Sequence, residues 1–406
     1  MNPPVTAELE PRSASHAAPK PSDGVLDWIT RLVKIDTTSR NSNLGLIETV
    51  RDHLAAAGLA PVLSYDATRQ KANLFATIAA ADDGTQGGIV LSGHTDVVPV
   101  DGQNWNSDPF APTIRDGKLY GRGTCDMKGF IGTAVALLPR IQAAKLKKPM
   151  HFALSYDEEV GCLGAPVLLA DLAKRGIHPE GCVVGEPTSM RVVVANKGIN
   201  FYRCRVHGHA AHSSLTPKGV NAIEYAARLI GHIHEVADAL RAQGPFDHAF
   251  DVPFTTAQTG TIAGGVAFNT VPAHCEFEFE FRNLPGVDSA EIFGRIEDYA
   301  RTKLVPEMRT IRAEADIVFE RVATSPAFDA GEGAELTRLV RALTGDRDKR
   351  KVAYATEAGI FQNAGIASVV CGPGDIDQAH KPDEFVALEQ IARCEDFLGQ
   401  LIRSMV

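Results

Sequence analysis

The sequence lacks long hydrophobic runs, a regular cysteine pattern and a basic stripe, and each absence argues against a class of protein. No uninterrupted apolar run approaches the roughly 20 residues that span a bilayer, so we expect no membrane-spanning segment. The seven cysteines have no regular spacing and no Cys-x-x-Cys pair, which argues against a disulfide framework or a thiolate zinc site. A formal net charge of −9 at pH 7 argues against a nucleic-acid partner.

Length and composition indicate a globular protein of more than one domain. A chain of 406 residues is too long for one typical core and predicts two or three domains. The odd number of cysteines fits a reducing compartment, and residues 1–22 lack the apolar core of a signal peptide. We therefore expect a cytoplasmic protein whose residues 1–22 form a flexible arm rich in proline, alanine and serine.

The order of predicted elements indicates an α/β fold with an insert. Strands alternate with helices from residue 23 onward, which predicts a sheet with helices on both faces. The pattern changes after Gly198, and residues 275–282 alternate apolar with charged side chains, as in a sheet with one wet face. The elements of 199–323 predict a ferredoxin-like β-α-β-β-α-β insert, so the first domain is discontinuous and comprises 23–198 and 324–406.

Acidic residues and histidines follow several of the predicted strands. His94 and Asp96 follow the apolar run 89–91 and point to the same side of an extended chain, which suits a metal ligand with a carboxylate behind it. Asp126 lies in a glycine-rich turn before a helix, where a carboxylate would repel phosphate and suits a cation instead. Glu158 and Glu159 follow a strand, and in extended chain such neighbours face opposite ways, one toward a metal and one toward the substrate.

Glu186 and His380 also follow predicted strands. Taken singly, each of these residues is more often a solvated or packed side chain than a metal ligand. Taken together, they are carboxylate and imidazole donors without a thiolate, at the strand ends where open α/β sheets bind their ligands. Such a donor set indicates a site for zinc, cobalt or manganese.

Five motifs give the chain a resemblance to metallopeptidase family M20, from about residue 23 to the C-terminus. They occur in the family's order: GHTDVVP at 93–99, GTCDMKG at 123–129, DEE at 157–159, GEPT at 185–188 and AH at 379–380. The resemblance implies a di-metal aminopeptidase-like catalytic domain with a mixed sheet. It also implies that 199–323 is a dimerisation and lid domain of a homodimer, and that two divalent ions are bound, Zn²⁺ with Co²⁺ as the alternative.

The resemblance assigns a role to each metal ligand. It implies that one ion is held by His94 and Glu186 and the other by Glu159 and His380, with Asp126 as the bridge.

The resemblance also implies three residues that act on the reaction. Glu158 is the general base, and Asp96 orients a ligand without touching metal. His212 stabilises the oxyanion, typically across the dimer interface, whereas His207 and His209 are interpreted as ordinary surface residues.

Four further residues are candidates for substrate binding. Asn269 and Arg282 match positions that bind a substrate carboxylate, although a solvated strand-face arginine explains Arg282 equally well. Glu357 begins a predicted helix, where it pairs with a substrate ammonium or complements the helix dipole. Gly374 belongs to the GPGD run at 372–375, one of several segments that resemble the family branch acting on N2-acetyl-L-ornithine.

We therefore expect an enzyme that hydrolyses N2-acetyl-L-ornithine to acetate and L-ornithine, a step of arginine biosynthesis. One alternative is another M20 amidohydrolase that acts on a small N-acyl amino acid or peptide, such as succinyl-diaminopimelate desuccinylase, a carboxypeptidase or a dipeptidase. An alternative of a different class is a catalytically inactive metal-dependent binding protein. The complete ligand set and the intact Glu158 argue against this last alternative.

Overall fold

The computed structural model describes residues 19–406, so most of the predicted N-terminal arm, 1–22, lies outside the described residues. The first helix begins at Asp23, as the sequence predicts. Ser22 occupies the N-cap position without a capping hydrogen bond from its side chain, and its backbone N–H donates to Glu395 Oε2 at 2.8 Å. Among the described helices, none is long and apolar enough to cross a membrane.

The described residues form eleven α-helices and sixteen β-strands. The helices are α1 (Asp23–Val33), α2 (Leu44–Ala56), α3 (Lys128–Ala136), α4 (Leu138–Ala143), α5 (Gly164–Lys174), α6 (Ala222–Gln243), α7 (Ser289–Tyr299), α8 (Val305–Ile311), α9 (Glu335–Thr344), α10 (Ala358–Asn363) and α11 (Leu388–Ser404). The strands are β1 (Val62–Tyr65), β2 (Ala72–Ile78), β3 (Ile89–His94), β4 (Thr113–Arg115), β5 (Lys118–Tyr120), β6 (Met150–Ser155), β7 (Gly181–Pro187), β8 (Val193–Asn196), β9 (Ile199–His207), β10 (Thr256–Gly264), β11 (His274–Arg282), β12 (Asp316–Ser325), β13 (Phe328–Asp329), β14 (Arg350–Val352), β15 (Ala367–Gly372) and β16 (Phe385–Ala387).

The main sheet has nine strands, in the order β1-β2-β6-β3-β7-β15-β8-β13, with β14 beside β8. The central strands β6, β3, β7 and β15 pair in parallel, whereas β2 pairs antiparallel with β1 and β6. Apolar clusters cover both faces, one formed with α2, α3 and α11 and the other with α5 and α10. The predicted α/β fold, a mixed sheet with helices on both faces, is therefore confirmed.

A second sheet is antiparallel, has the strand order β10-β11-β9-β12, and packs one face against α6 and α7. The predicted alternation along β11 is confirmed, because Phe277, Phe279 and Phe281 are at most 1% exposed while the side chains between them face away from this core. Full burial of each ring contributes about 1.5–3 kcal/mol. The element order matches the predicted β-α-β-β-α-β order, whereas the boundaries at 199 and 323 and the lid role stay predictions.

The two helices that pack on the second sheet differ in how well the sequence predicts their ends. The sequence predicts a helix from Asn221 to about Ala242. Helix α6 begins there because the side-chain oxygen of Asn221 accepts the N–H groups of Ile223 and Glu224. The sequence predicts a helix from Ser289 to about Leu304, and the helical segment is longer than this. A π-helical segment continues it into α8, which ends at Ile311.

A third, small sheet contains β16, β5 and β4. In it Phe385 pairs with Tyr120, and this pairing brings the chain just after His380 beside the turn that contains Asp126. Strands of three residues are too short for a readable alternation, so the sequence does not predict them.

Candidate metal centre

Five side chains converge at one edge of the main sheet. His94, Asp126 and Glu186 form one group, and Asp126, Glu159 and His380 form a second; within each group the ligand-type atoms lie within 4.8 Å of one another. Asp126 belongs to both groups and presents a different oxygen to each. Its Oδ1 lies 2.9 Å from His94 Nε2, and its Oδ2 lies 3.4 Å from His380 Nε2.

The remaining two carboxylates complete the groups. Glu186 Oε1 lies 3.7 Å from His94 Nε2, and Glu159 Oε2 lies 3.0 Å from His380 Nε2. The five residues that the sequence predicts as metal ligands are thus brought together by the fold. Their assignment as ligands remains a proposal.

Strand ends position the cluster. His94 is the last residue of β3, Glu186 lies near the end of the neighbouring parallel strand β7, and Glu159 follows β6. His380 follows β15, so four strands contribute at their carboxyl ends, where α/β sheets bind ligands. A glycine before Glu186 lets β7 pack closely on α3, because a Cβ at Gly185 would lie 2.0 Å from the ring of Phe130.

The chemistry of this cluster fits divalent cations. His94, Asp126 and Glu186 are each at most 6% exposed, and burial of several carboxylates together is unfavourable without a compensating charge. Burial raises the pKa of Glu159 to about 7 and that of Glu186 well above its ordinary value. Among the described residues, the buried Glu159 Oε1 has no hydrogen-bond partner. Oxygen and imidazole donors, among them an unpartnered carboxylate oxygen, suit zinc, cobalt or manganese.

Asp96 supports the backbone of Glu158 and Glu159 as well as the imidazole of His94. Its carboxylate accepts the hydroxyl of Ser39 at 2.7 Å and the backbone N–H groups of Glu158 and Glu159 at 3.0 and 3.2 Å. The ring of His94 contacts the backbone carbonyl of Asp96 at 3.0 Å, whereas His94 Nδ1 lies 3.7 Å from the carboxylate oxygen Oδ1 of Asp96. Asp96 therefore connects the two groups through the chain that carries Glu158 and Glu159.

The acidic run at 157–159 forms a turn. The extended conformation that we predict for it from the sequence is therefore wrong. Asp157 has φ of 54°, in the left-handed region, and its carboxylate contacts the ammonium of Lys71. The turn places Glu158 against Cys162, whose thiol donates to Glu158 Oε1 at 3.4 Å. Burial also raises the pKa of Glu158 well above its ordinary value.

A cavity of about 560 Å³ lies against the centre. Glu158, Glu159 and His380 line one side of it, and residues of the second sheet, including Phe201 and Arg282, line the other. Arg282 is 30% exposed and its Nε lies 3.2 Å from Glu280 Oε2. A cavity with carboxylates of the centre on one side and a guanidinium on the other suits a substrate that carries its own carboxylate.

His212 and Asn269 lie together, away from this cavity. Both are exposed; the ring of His212 contacts the hydroxyl of Ser214 at 2.8 Å, and the carbonyl of Asn269 accepts the N–H of Ser213 at 3.0 Å. Within the described residues of one chain, no hydrogen bond joins His212 or Asn269 to the centre.

Glu357 and Gly374 do not line this cavity, and their predicted roles as substrate contacts stay predictions. Glu357 is 1% exposed and occupies the N-cap position of α10. Gly374 has φ of 88°, and its carbonyl accepts the N–H of Ser189. A Cβ at Gly374 would lie 2.6 Å from the sulfur of Cys125, so this glycine allows close packing of a turn.

Sequence reasoning missed the residues that support the ligands. Glu384 accepts hydrogen bonds from the turn that contains Asp126, and Arg122 pairs with Glu384 in the interior. The ammonium of Lys128 is buried and donates to the carbonyl of Ile35 at 2.8 Å. The signal available in the sequence was slight: Glu384 stands four residues after His380, in a run of charged residues typical of solvated loops.

Comparison with known proteins identifies the fold and the family. Residues 90–404 match the sequence model of the peptidase family M20/M25/M40. Acetylornithine deacetylase from Pasteurella multocida (strain Pm70) is 34% identical over 372 residues, which cover 91% of this chain and 93% of that protein.

Solved structures agree on the fold. An M20 family metallo-carboxypeptidase from Sulfolobus solfataricus has a TM-score of 0.71 at 17% identity, covering 93% of this chain and 99% of that one. Aminopeptidase PepT from Bacillus cereus ATCC 10987 has a TM-score of 0.70 at 19% identity, covering 95% and 99% of the two chains. With a family match over most of its length and two ligand groups that share one aspartate, the chain belongs to peptidase family M20/M25/M40 and is a metal-dependent hydrolase.

Proposed function

We propose that this hydrolase removes the acetyl group from N2-acetyl-L-ornithine to give acetate and L-ornithine, a step of arginine biosynthesis. The observation that carries the proposed reaction is the cavity lined by Glu158 and Arg282 together with Glu159 and His380 of the metal centre. The choice of acyl group and amino acid is supported by the 34% identity with the Pasteurella multocida acetylornithine deacetylase.

The metal ligands in this proposal are the five clustered side chains. His94 and Glu186 would hold one divalent ion, Glu159 and His380 the other, and Asp126 both. We propose Zn²⁺ as the native metal, with Co²⁺ as the alternative, because oxygen and imidazole donors suit both. When bound, such ions polarise the amide carbonyl and lower the pKa of water.

Glu158 would carry the proton transfers. Its carboxylate lines the cavity, and burial raises its pKa well above the ordinary value, which favours a group that takes a proton from water and later holds it. The same carboxyl group then returns that proton to the nitrogen of the leaving amine. Asp96 holds the backbone of Glu158 at 3.0 Å, and this contact keeps the base on the cavity side of the turn.

Arg282 would bind the carboxylate of the acyl amino acid. Replacing Arg282 with Met is expected to raise KM about 10- to 100-fold, because a hydrogen bond to a charged group is worth about 1.5–3 kcal/mol. The expected change in kcat is less than about threefold, since Arg282 binds a part of the substrate that does not react.

Steady-state kinetics with the deacetylation substrate test this role. Arg205→Met is the matched control, because Arg205 lies on the same face of the second sheet and pairs there with Glu276 and Glu320. An unchanged KM in the Arg282 variant, or an equal rise in the control, would contradict the assignment.

One observation favours a second candidate function. Among the described residues that line the cavity, the carboxylates are Glu158 and Glu159 alone, and both belong to the centre or act beside it. Glu357, the predicted partner of the ornithine ammonium, is buried. A cavity without a further carboxylate favours an N-acyl amino acid whose side chain carries no positive charge.

A substrate panel separates these functions. The purified full-length protein, supplied with Zn²⁺ or Co²⁺, is assayed with N2-acetyl-L-ornithine, neutral N-acetyl amino acids, N-succinyl-diaminopimelate and dipeptides. We expect the highest kcat/KM for N2-acetyl-L-ornithine. A higher value for a neutral substrate would establish the second candidate, and no hydrolysis of any member would support a binding protein without catalysis.

We also propose that two copies associate through the region formed by 199–323, the dimerisation and lid domain of the sequence-based prediction. The turn next to Asn269 and His212 exposes apolar side chains, with Val266 92% exposed and Phe268 fully exposed. A second copy that covers this turn would bring His212 toward the partner's cavity. Sedimentation velocity is expected to show a dimer, and a single species at the 43.5 kDa of one chain would contradict the proposal.

A cytoplasmic location is part of the same proposal. All seven cysteines are free thiols, as in proteins of reducing compartments. Cell fractionation with an assay of the deacetylation tests the location, and activity confined to an oxidising compartment would contradict it.

A further inference from the structure

Glu384 is buried and makes several hydrogen bonds that the proposed reaction does not use. Glu384 is only 1% exposed. One oxygen, Oε1, accepts the backbone N–H groups of Cys125 at 2.8 Å and Asp126 at 3.0 Å. The other, Oε2, accepts the N–H of Gly123 at 3.0 Å and the guanidinium of Arg122 at 2.7 Å. Four N–H donors therefore hold both oxygens of this carboxylate on the turn that presents Asp126.

The same network continues to His380. The second amino group of Arg122 donates to Gln103 Oε1 at 2.7 Å, and Gln103 Nε2 donates to the carbonyl of His380 at 2.9 Å. His380 has φ of 64°, in the left-handed region that residues other than glycine rarely adopt. A fixed carbonyl at His380 holds the imidazole in place despite this conformation.

These contacts form a closed ring of residues. It contains Asp126, Glu384, Arg122, Gln103 and His380. Asp126 and Glu384 are 258 positions apart in the sequence, yet one hydrogen bond joins them directly. At the other end of the ring, the side chains of Asp126 and His380 face each other across 3.4 Å. His94 and Glu186 stand apart from this ring, because they are fixed by the paired strands β3 and β7.

We propose that Glu384 is a positioning residue that sets Asp126 relative to His380, so that affinity for the ion between Asp126, Glu159 and His380 depends on it. The inference rests on the proposed two-metal centre. Glu384 does not line the cavity, and its hydrogen bonds go to backbone N–H groups and to Arg122. It would act through the backbone of Asp126 and through Arg122 and Gln103. Hydrogen-bonded groups behind metal ligands commonly change metal affinity about 10- to 100-fold when they are replaced.

Glu384→Gln tests the proposal, because an amide NH₂ cannot accept the hydrogen bonds that one carboxylate oxygen accepts now. Full-length protein is stripped of metal and titrated with Co²⁺, followed by visible absorption and calorimetry. We expect affinity for the ion among Asp126, Glu159 and His380 to fall about 10- to 100-fold, and affinity for the other ion to fall less, because Asp126 belongs to both groups. A replacement that merely loosened the fold would weaken both ions alike. Glu389→Gln is the control, since Glu389 is a partly exposed residue of α11 that pairs with Arg393.

Gln103→Ala is the second variant and decides the question if the Glu384 variant fails to fold. Gln103 is partly exposed, and its removal takes away the contact to the His380 carbonyl while leaving Glu384 on the Asp126 turn. We expect a loss confined to the same ion. Unchanged affinities, or equal losses for both ions, would overturn the role of Glu384. Fewer than two ions on the unaltered protein would instead refute the two-metal centre, and the inference with it.

Discussion

Glu158→Gln is expected to lower kcat about 10²- to 10⁴-fold, the range that a positioned general base contributes. Glutamine has nearly the same shape but takes no proton from water, so substrate and metal affinity should change little. The thiol of Cys162 and the backbone contacts of the acidic turn remain available to hold the new side chain. The measurements are kcat, KM and metal content of the purified variant.

Glu291→Gln serves as the control for this experiment. Glu291 is an exposed residue in the first turn of α7, and its replacement is expected to leave kcat unchanged. Retained turnover in the Glu158 variant with normal metal content would remove Glu158 from the reaction. Lost metal together with lost turnover would make it a residue of the metal centre instead.

Asp126→Asn is expected to weaken both ions. Asp126 presents one oxygen to His94 and the other to His380, so loss of its charge affects both ligand groups at once. Replacing a group that only supports a ligand already lowers metal affinity about 10- to 100-fold. We therefore expect replacement of the shared ligand to lower metal affinity by more than about 100-fold. Equilibrium dialysis against Zn²⁺ measures the effect, and hydrolysis should fall with metal content.

The matched control uses an aspartate that lies close to His380 in the sequence. Asp377 is exposed and stands three residues before His380, and Asp377→Asn is expected to bind two ions with unaltered affinity. If Asp126→Asn lost one ion and kept the other with full affinity, the shared position of Asp126 would be refuted.

The sequence predicts those features that depend on neighbouring residues. The alternation along 275–282 identifies β11, and Asn221 before a helical apolar pattern identifies the start of α6, because both signals act over one or two turns of chain. The sequence identifies His94 and Glu186 as candidate ligands because an apolar strand leads directly to each of them.

Features that depend on distant contacts are missed. The positive φ of Asp157 and the burial of Glu357 arise from packing with other segments, so the extended chain expected at Asp157 is wrong and the burial of Glu357 was not foreseen. Glu384 is missed for the same reason, since its partners lie about 260 positions earlier in the chain and are backbone N–H groups, which leave no residue pattern.

A crystal structure with anomalous diffraction recorded at the zinc or cobalt edge tests the two-metal centre most directly. We predict two peaks, one among His94, Asp126 and Glu186 and one among Asp126, Glu159 and His380, with Asp126 contacting both. A single peak, or ions bound elsewhere on protein that hydrolyses its substrate, would contradict this assignment.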